Sequence, residues 1–420
     1  MLKLVQTIPK RPLLKQLGLE KYYTLRTFLS QAYYCDDVWN RRLNSPLLQK
    51  VNNEELYYEL DQRYQKSKQL NALDIDIFAN SIQSDLFCDE LLDMVHKLRL
   101  TADTFNTPES TSHAVVRLLL KYDKSDDLLD ALDDRLNYGL FLDYYTANLL
   151  MDSFWKSKQF AHGARVASQL MLQEEVDHPL FQSFALLHCY NYLLNPEGWP
   201  VITPPPEPEE EIKIRVKYLR NPYDDDHFDL REPSKIVGKT LAMIGRQHSD
   251  PLHQSFQLLG LALFGKKDEF KKVAAEIKTP LVKEILELVP EDSDVKDVMN
   301  NLTTESMNVN DILKQNVKKS FEKTSEYDIS EQCKMFEKWE HDRVKKMDEQ
   351  RERLTKANRL ENVEDLKKAL KKKEEKLWFF ENEDQIDLDI EAKYKFYPKR
   401  WFGHKKKPRQ IDEGYIPPEV

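Results

Sequence analysis

Glycine is scarce in this chain, at 10 residues among 420. Folds built from many tight strand turns, and loops that cradle phosphates on glycine backbone, both need more of it. Cysteine is equally thin. Cys35, Cys88, Cys189 and Cys333 lie far apart and lack the paired spacing of a zinc or redox site, which predicts reduced thiols in a non-secreted protein. No apolar run approaches the roughly 18 residues that span a membrane. A metalloprotease helix motif is missing, and His113, His162, His178, His188 and His227 share no ligand spacing with cysteines or carboxylates. The expectation is therefore no catalytic residue, no metal, no cofactor and no small-molecule substrate; the chain is not expected to be an enzyme.

Charge and helix formers are abundant. Charged residues make up 32% of the chain, with a net charge of −9. Two adjacent 35-residue blocks, Ser110 to Tyr144 and Tyr145 to Pro179, pair their apolar positions one for one. Ala114 matches Leu149, Val115 matches Leu150, Leu119 matches Phe154 and Leu120 matches Trp155. After a polar turn, Leu128 matches Gly163, Leu129 matches Ala164, Ala131 matches Val166 and Leu136 matches Met171. A period in the mid-thirties containing two helical patterns marks a helix-turn-helix solenoid, whose units bury a core only by stacking. Leu119, Leu129, Leu150, Phe154, Gly163 and Ala164 are the expected helix-packing positions, the last two being small enough for helices to cross closely. Such stacks present a long surface to a partner, which favours binding over catalysis.

The periodicity divides the rest of the chain. Residues 1–30 carry Lys3, Lys10, Arg11, Lys15, Lys21 and Arg26 against a single acid, Glu20, with leucines dispersed among them. This pattern predicts a mitochondrial transit peptide, against the alternative of a basic first helix in a cytosolic protein. Residues 50–194 form the expected repeat region, with a degenerate unit near Ile75 to Arg99. Residues 195–233 hold six prolines from Pro196 to Pro208, a short alternating segment from Ile212 to Tyr218, and Asp224 to Asp226. They predict a linker with a short strand and a solvated acidic turn. Further helical repeats are expected over 234–300.

Residues 309–380 read as long charged helices, with Val363, Leu366, Leu370 and Leu377 as one apolar stripe suited to a partner or a coiled-coil seam. Residues 381–420 read as an extended tail. Within it Lys393, Lys395, Lys399, Arg400, Lys405, Lys406, Lys407 and Arg409 alternate with Tyr394, Phe396, Tyr397, Trp401 and Phe402, with no acid between Lys393 and Arg409. Cations that neutralise phosphates and rings that stack on unpaired bases are the chemistry of RNA contact. Lys393, Lys395, Lys399, Arg400, Trp401, Phe402, Lys405, Lys406, Lys407 and Arg409 are accordingly the candidate RNA-binding residues, against the alternative of a solubilising tail.

The stretch Leu120-Lys121-Tyr122-Asp123 through Tyr138-Gly139-Leu140-Phe141-Leu142-Asp143 to Asn148-Leu149-Leu150-Met151-Asp152-Ser153-Phe154 resembles the pentatricopeptide-repeat protein family of the animal mitochondrial small ribosomal subunit, number twenty-seven in its nomenclature. Met171 to Glu174, Gly260 to Lys266 and Glu331 to Trp339 add to the resemblance. It implies an all-α fold and a structural ribosomal component in the mitochondrial matrix, assembled on small-subunit rRNA with neighbouring ribosomal proteins. Organellar pentatricopeptide proteins choose bases with two positions per repeat, which here are His113 with Asp143 and Asn148 with His178. Neither pair is the usual polar combination, so binding by shape and charge is expected instead. A free mitochondrial RNA-binding factor and a cytosolic helical adaptor remain as alternatives.

Overall fold

The computed structural model describes residues 28–200, 227, 230–277, 279–290, 298–299 and 303–396. It is all-helical apart from a two-residue parallel pair, β1 (Leu281–Val282) with β2 (Thr304–Glu305). The chain divides into two units, Met1–Lys346 and Met347–Val420. Of the expected transit peptide, residues 1–30, the first 27 lie outside the described residues, as do the Ile212 to Tyr218 strand and Asp224 to Asp226, while its end at residue 30 is corrected, because Phe28 and Leu29 are bound to Asp152 in the folded unit.

The first unit opens with α1 (Asp36–Arg41) and α2 (Asn53–Ser67) and continues as helix pairs. These are α3 (Ala72–Ser81) with α4 (Cys88–Arg99), α5 (Glu109–Lys121) with α6 (Ser125–Asp133), and α7 (Tyr144–Ser157) with α8 (Phe160–Leu172). Then come α9 (Pro179–Leu194), α10 (Pro233–Arg246), α11 (Pro251–Phe264), α12 (Lys267–Glu276) and the single turn α13 (Lys283–Leu286). Side chains set several starts. Asn52 and Asn71 accept the N–H two residues on, Asp143 forms a capping box with Thr146, and Pro179, Pro233 and Pro251 occupy the first helical position, where no N–H is needed.

The 35-residue register is visible in these starts, since Glu109, Tyr144 and Pro179 are evenly spaced while Ala72 lies two residues further off. The same start-to-start spacing within a pair recurs in α3–α4, α5–α6, α7–α8 and α11–α12. First helices pack on first helices, α3 on α5, α5 on α7 and α7 on α9, while α6, α8 and α10 form the second layer. Helix α10 packs on both α8 and α9, so the Pro-rich insertion separates two helices that are neighbours in space.

Leu119, Leu129, Leu150, Phe154 and Ala164 are fully or almost fully buried in one continuous apolar core. The pairing of Leu136 with Met171 is corrected: Met171 is buried, whereas Leu136 is 83% exposed. Helix α6 stops at Asp133, and Asp134 turns the chain by accepting from the N–H and side-chain amide of Asn137. Gly139 then takes a left-handed backbone, φ +64°, which other residues adopt only with strain.

At Gly163 there is no room for a side chain. A Cβ there would lie 2.0 Å from Nδ1 of His188, whose Nε2 donates to the Met151 carbonyl at 2.9 Å. Gly163→Ala is expected to cost about 3 kcal/mol, because displacing a buried ring outweighs the roughly 1 kcal/mol gained in helix propensity. Thermal unfolding checks this; an unchanged midpoint would mean that α8 and α9 are not in this contact.

Helix α14 (Val309–Glu381) is a single 73-residue helix. Its portion in the first unit buries Val309, Leu313, Val317 and Phe336 in the core. In the second unit the stripe Val363, Leu366, Leu370 and Leu377 is exposed, with Phe380 continuing it. The chain then enters α15 (Glu383–Phe396). This corrects the extended tail expected from residue 381. Lys393 and Lys395 stand on a helix, favoured by the absence of Gly and Pro, by Glu383 and Asp384 at its positive end and by the lysines at its negative one.

Candidate nucleic-acid interface

The face made by the first helices is where a base-reading solenoid would hold RNA. Here it is covered by the protein's own chain, namely residues 28–44 and the first part of α14.

On α3 and α5, Asp76 is buried and accepts from Arg343 Nε of α14 at 2.7 Å, Thr111 Oγ1 at 2.9 Å, Asn80 Nδ2 at 3.0 Å and the Ser110 hydroxyl. Both members of the Asp76–Arg343 pair are almost solvent-free. His113, one turn further along α5, lies in an aromatic box. Its ring centroid is 4.8 Å from Trp39, 5.2 Å from Phe336 and Trp339, and 5.9 Å from Tyr145. Its Nε2 accepts from Arg117 Nε at 3.0 Å, which places the imidazole proton on Nδ1. Burial, and then the Arg117 and Arg42 cations, press its pKa well below the usual value. Arg117 also donates to Asp36 at 3.0 Å and to the Tyr145 hydroxyl at 3.1 Å.

Tyr33 continues the cover over α7. Its ring stacks on Tyr145 at 5.2 Å, its hydroxyl accepts from Asn148 Nδ2 at 3.2 Å, and it donates to Asp328 of α14 at 3.0 Å. Asp328 in turn meets His178 Nε2 at 3.1 Å. Burial and the Asp328 charge raise the Tyr33 pKa far above the ordinary phenol, so it stays a donor. Asp152, fully buried on α7, accepts the backbone N–H of Phe28 and Leu29 at 3.0 and 3.3 Å and the Tyr34 hydroxyl at 2.7 Å, and pairs with Lys156 at 2.8 Å. On α9, Ser183 meets Ser320 at 2.8 Å and Asn191 donates to Asn310 at 3.1 Å.

The four positions at which the resemblance implied base choice thus have partners within the chain. His113 is boxed, Asn148 and His178 are joined through Tyr33 and Asp328, and Asp143 caps α7 by accepting the Thr146 N–H at 2.9 Å. Burial raises the pKa of Asp143. Sequence reasoning did not single out Tyr33, Trp39, Asp76, Asp152, Asp328 or Arg343. For Tyr33, Trp39, Asp328 and Arg343 the one signal was the clustering of aromatic and acidic residues in segments 28–44 and 328–343, which are distant in sequence; Asp76 and Asp152 lie outside both.

Of the tail residues, Lys393 is exposed on α15 and Lys395 lies on its last turn. Lys399, Arg400, Trp401, Phe402, Lys405, Lys406, Lys407 and Arg409 lie outside the described residues. Among the described residues there is no cluster of three or more His, Cys, Asp or Glu that could hold a metal ion, and no helix is long and apolar enough to cross a membrane.

The family model described as mitochondrial 28S ribosomal protein S27 matches residues 7–369. The match takes in the covering segment, every helix pair and most of α14. With nearly the whole folded chain inside that span, this chain belongs to the mitochondrial 28S ribosomal protein S27 family.

Proposed function

We propose that this chain is a structural component of the mitochondrial small ribosomal subunit, holding rRNA and neighbouring ribosomal proteins by shape and charge. The helix pairs act as a pentatricopeptide-like solenoid whose base-reading face is used internally. The observation that carries this reading is the covered face itself. A free factor that selects a single-stranded transcript needs His113, Asn148 and His178 to face RNA, and each has an intramolecular partner.

External contacts then fall to other surfaces. The exposed Val363 to Leu377 stripe of α14 offers an apolar seat for a neighbouring protein, and the basic-aromatic segment from Lys393 to Arg409 offers cations and rings to rRNA. The basic leader directs the protein to the matrix. Its removal ends before Phe28, because Phe28 and Leu29 bind Asp152 and Phe28 packs on Trp155.

Sedimentation of a mitochondrial lysate through a sucrose gradient tests the proposal. The expected result is stoichiometric migration with the small subunit, and with the whole ribosome when magnesium is raised. Deleting residues 397–420 is expected to lower the salt concentration at which the protein leaves the particle, since phosphate contacts make association salt-dependent. Migration as a light species would favour the free RNA-binding factor, and absence from mitochondria the cytosolic adaptor.

A further inference from the structure

A cavity of about 420 Å³ lies between the covering segment and helices α3, α5 and α7. Its lining includes the buried apolar residues Ile82, Leu118 and Leu149 together with three cations. Arg42, Arg117 and Lys121 line it against a single carboxylate, Asp36, which is already paired with Arg117 at 3.0 Å. Asn40, Gln83 and Lys121 are exposed at its rim.

Arg42 is the unbalanced group. Its guanidinium lies 3.8 Å over the Trp39 ring and donates from one terminal nitrogen to the Trp39 carbonyl at 2.9 Å. Its Nε is buried with no hydrogen-bond partner, and no carboxylate among the described residues pairs with it or with Lys121. Burial, followed by the nearby Arg117 and Arg343 cations, lowers its pKa to about 9, so it is still charged at neutral pH. Buried charges are normally paired, because leaving one uncompensated in a low-dielectric site costs several kcal/mol. Arg42, with its buried Nε unsatisfied, calls for an anion, and the exposed Lys121 at the rim adds a second positive charge within the same cavity. The cavity is far larger than a bare phosphate requires, and falls in the range of sites for small organic ligands, about 300–1,000 Å³.

We propose that this cavity binds a nucleoside phosphate, with the phosphate on Arg42 and Lys121 and the base against Ile82, Leu118 and Leu149. Asn40 and Gln83 at the rim supply amides for the ribose or a base edge. The anchor comes from the segment before the helix pairs; Trp39 and Arg117, which contact His113, share in the lining, but His113, Asp143, Asn148 and His178 themselves do not line the cavity. Its ligand is either a free nucleotide or one nucleotide unit of an RNA strand.

Isothermal titration of the full chain at low salt with UMP, AMP, inorganic phosphate and a five-nucleotide RNA decides the matter. Saturable mononucleotide binding, at least tenfold weaker in Arg42→Met and several-fold weaker in Lys121→Met, is the expected result and assigns a free nucleotide. Binding of the RNA alone, with the same losses, assigns a strand. Inorganic phosphate binding as tightly as UMP would overturn the base seat, and no binding by any probe would overturn the site. Lys121 is exposed at the end of α5, so Lys121→Met carries the test if Arg42→Met fails to fold. Titration uses the isolated chain, so its outcome is independent of the sedimentation result.

Discussion

Replacing Asp76 with Ala is expected to lower the unfolding free energy by about 4 kcal/mol, the range found when one partner of a buried ion pair is removed. Asp76 is the only carboxylate paired with Arg343 among the described residues, and it also takes the Ser110 and Thr111 hydroxyls and the Asn80 amide. Its loss leaves a guanidinium in a site with almost no water and the Ser110 and Thr111 hydroxyls short of an acceptor, while the Asn80 amide keeps the residue 76 carbonyl at 2.8 Å. Substituting both partners, Asp76→Leu with Arg343→Met, is expected to recover most of the loss, because apolar replacements of a buried pair carry no desolvation cost. Urea unfolding of the single and double variants measures the coupling. A single-variant loss below about 1 kcal/mol would mean that Arg343 does not reach Asp76 in solution. Hydrogen exchange adds a local readout, since α14 between Val309 and Lys346 should lose protection before the helix pairs do.

Acid is expected to be the second large perturbation. His188 is fully buried among Trp155, Phe160 and Phe184 and against Gly163, and burial lowers its pKa to about 4, with the Met151 carbonyl and Asp152 opposing the shift. His113 is lowered in the same direction by burial and by the Arg117 and Arg42 cations. In the unfolded chain both imidazoles titrate near 6.5, so below that value the unfolded state holds protons that the native state does not, down to about 4 in the case of His188. Stability is therefore fully present above about pH 6.5 and falls as the pH is lowered toward 4, by about 3 kcal/mol for His188. His188→Gln removes one of these sites. The slope of stability against pH between 5 and 6 should then drop by about 1.4 kcal/mol per pH unit, whatever the variant's own stability. Equal slopes in the two proteins would show that His188 is solvated in solution.

The helix pairs were legible because their cause is local and periodic. The apolar positions of Ser110 to Pro179 repeat with the chain, and the starts at Glu109, Tyr144 and Pro179 follow that register. It failed at Leu136, where a turn built by Asp134 and Asn137 competes with a last helical turn. The separate reading of an extended tail failed at Glu383–Phe396, where the chain is helical.

The covered face was not legible. Asp76 sits in Leu73-Asp74-Ile75-Asp76-Ile77, where nothing local distinguishes it from Asp74, and its buried partner Arg343 lies far along the chain. The partners of His113, Asn148 and His178 were hidden for the same reason, since Trp39, Tyr33 and Asp328 belong to segments with no share in the repeat. Of the proposed anion site, the cations Arg42 and Lys121 are visible in sequence, but their lack of matching acids is a property of the fold alone.

The covered face also fixes an order of events during synthesis. A helix-pair array can form unit by unit as the chain emerges, since its contacts are close in sequence. This one cannot be completed that way. Asp76 waits for Arg343 and Tyr33 for Asp328, so buried polar groups on α3 and in the segment over α7 stay wet until the ribosome that makes the chain has passed these residues of α14. Final closure is a late, high-contact-order step joining the two ends of the first unit, and a chain truncated anywhere before residue 343 is left with an open polar seam.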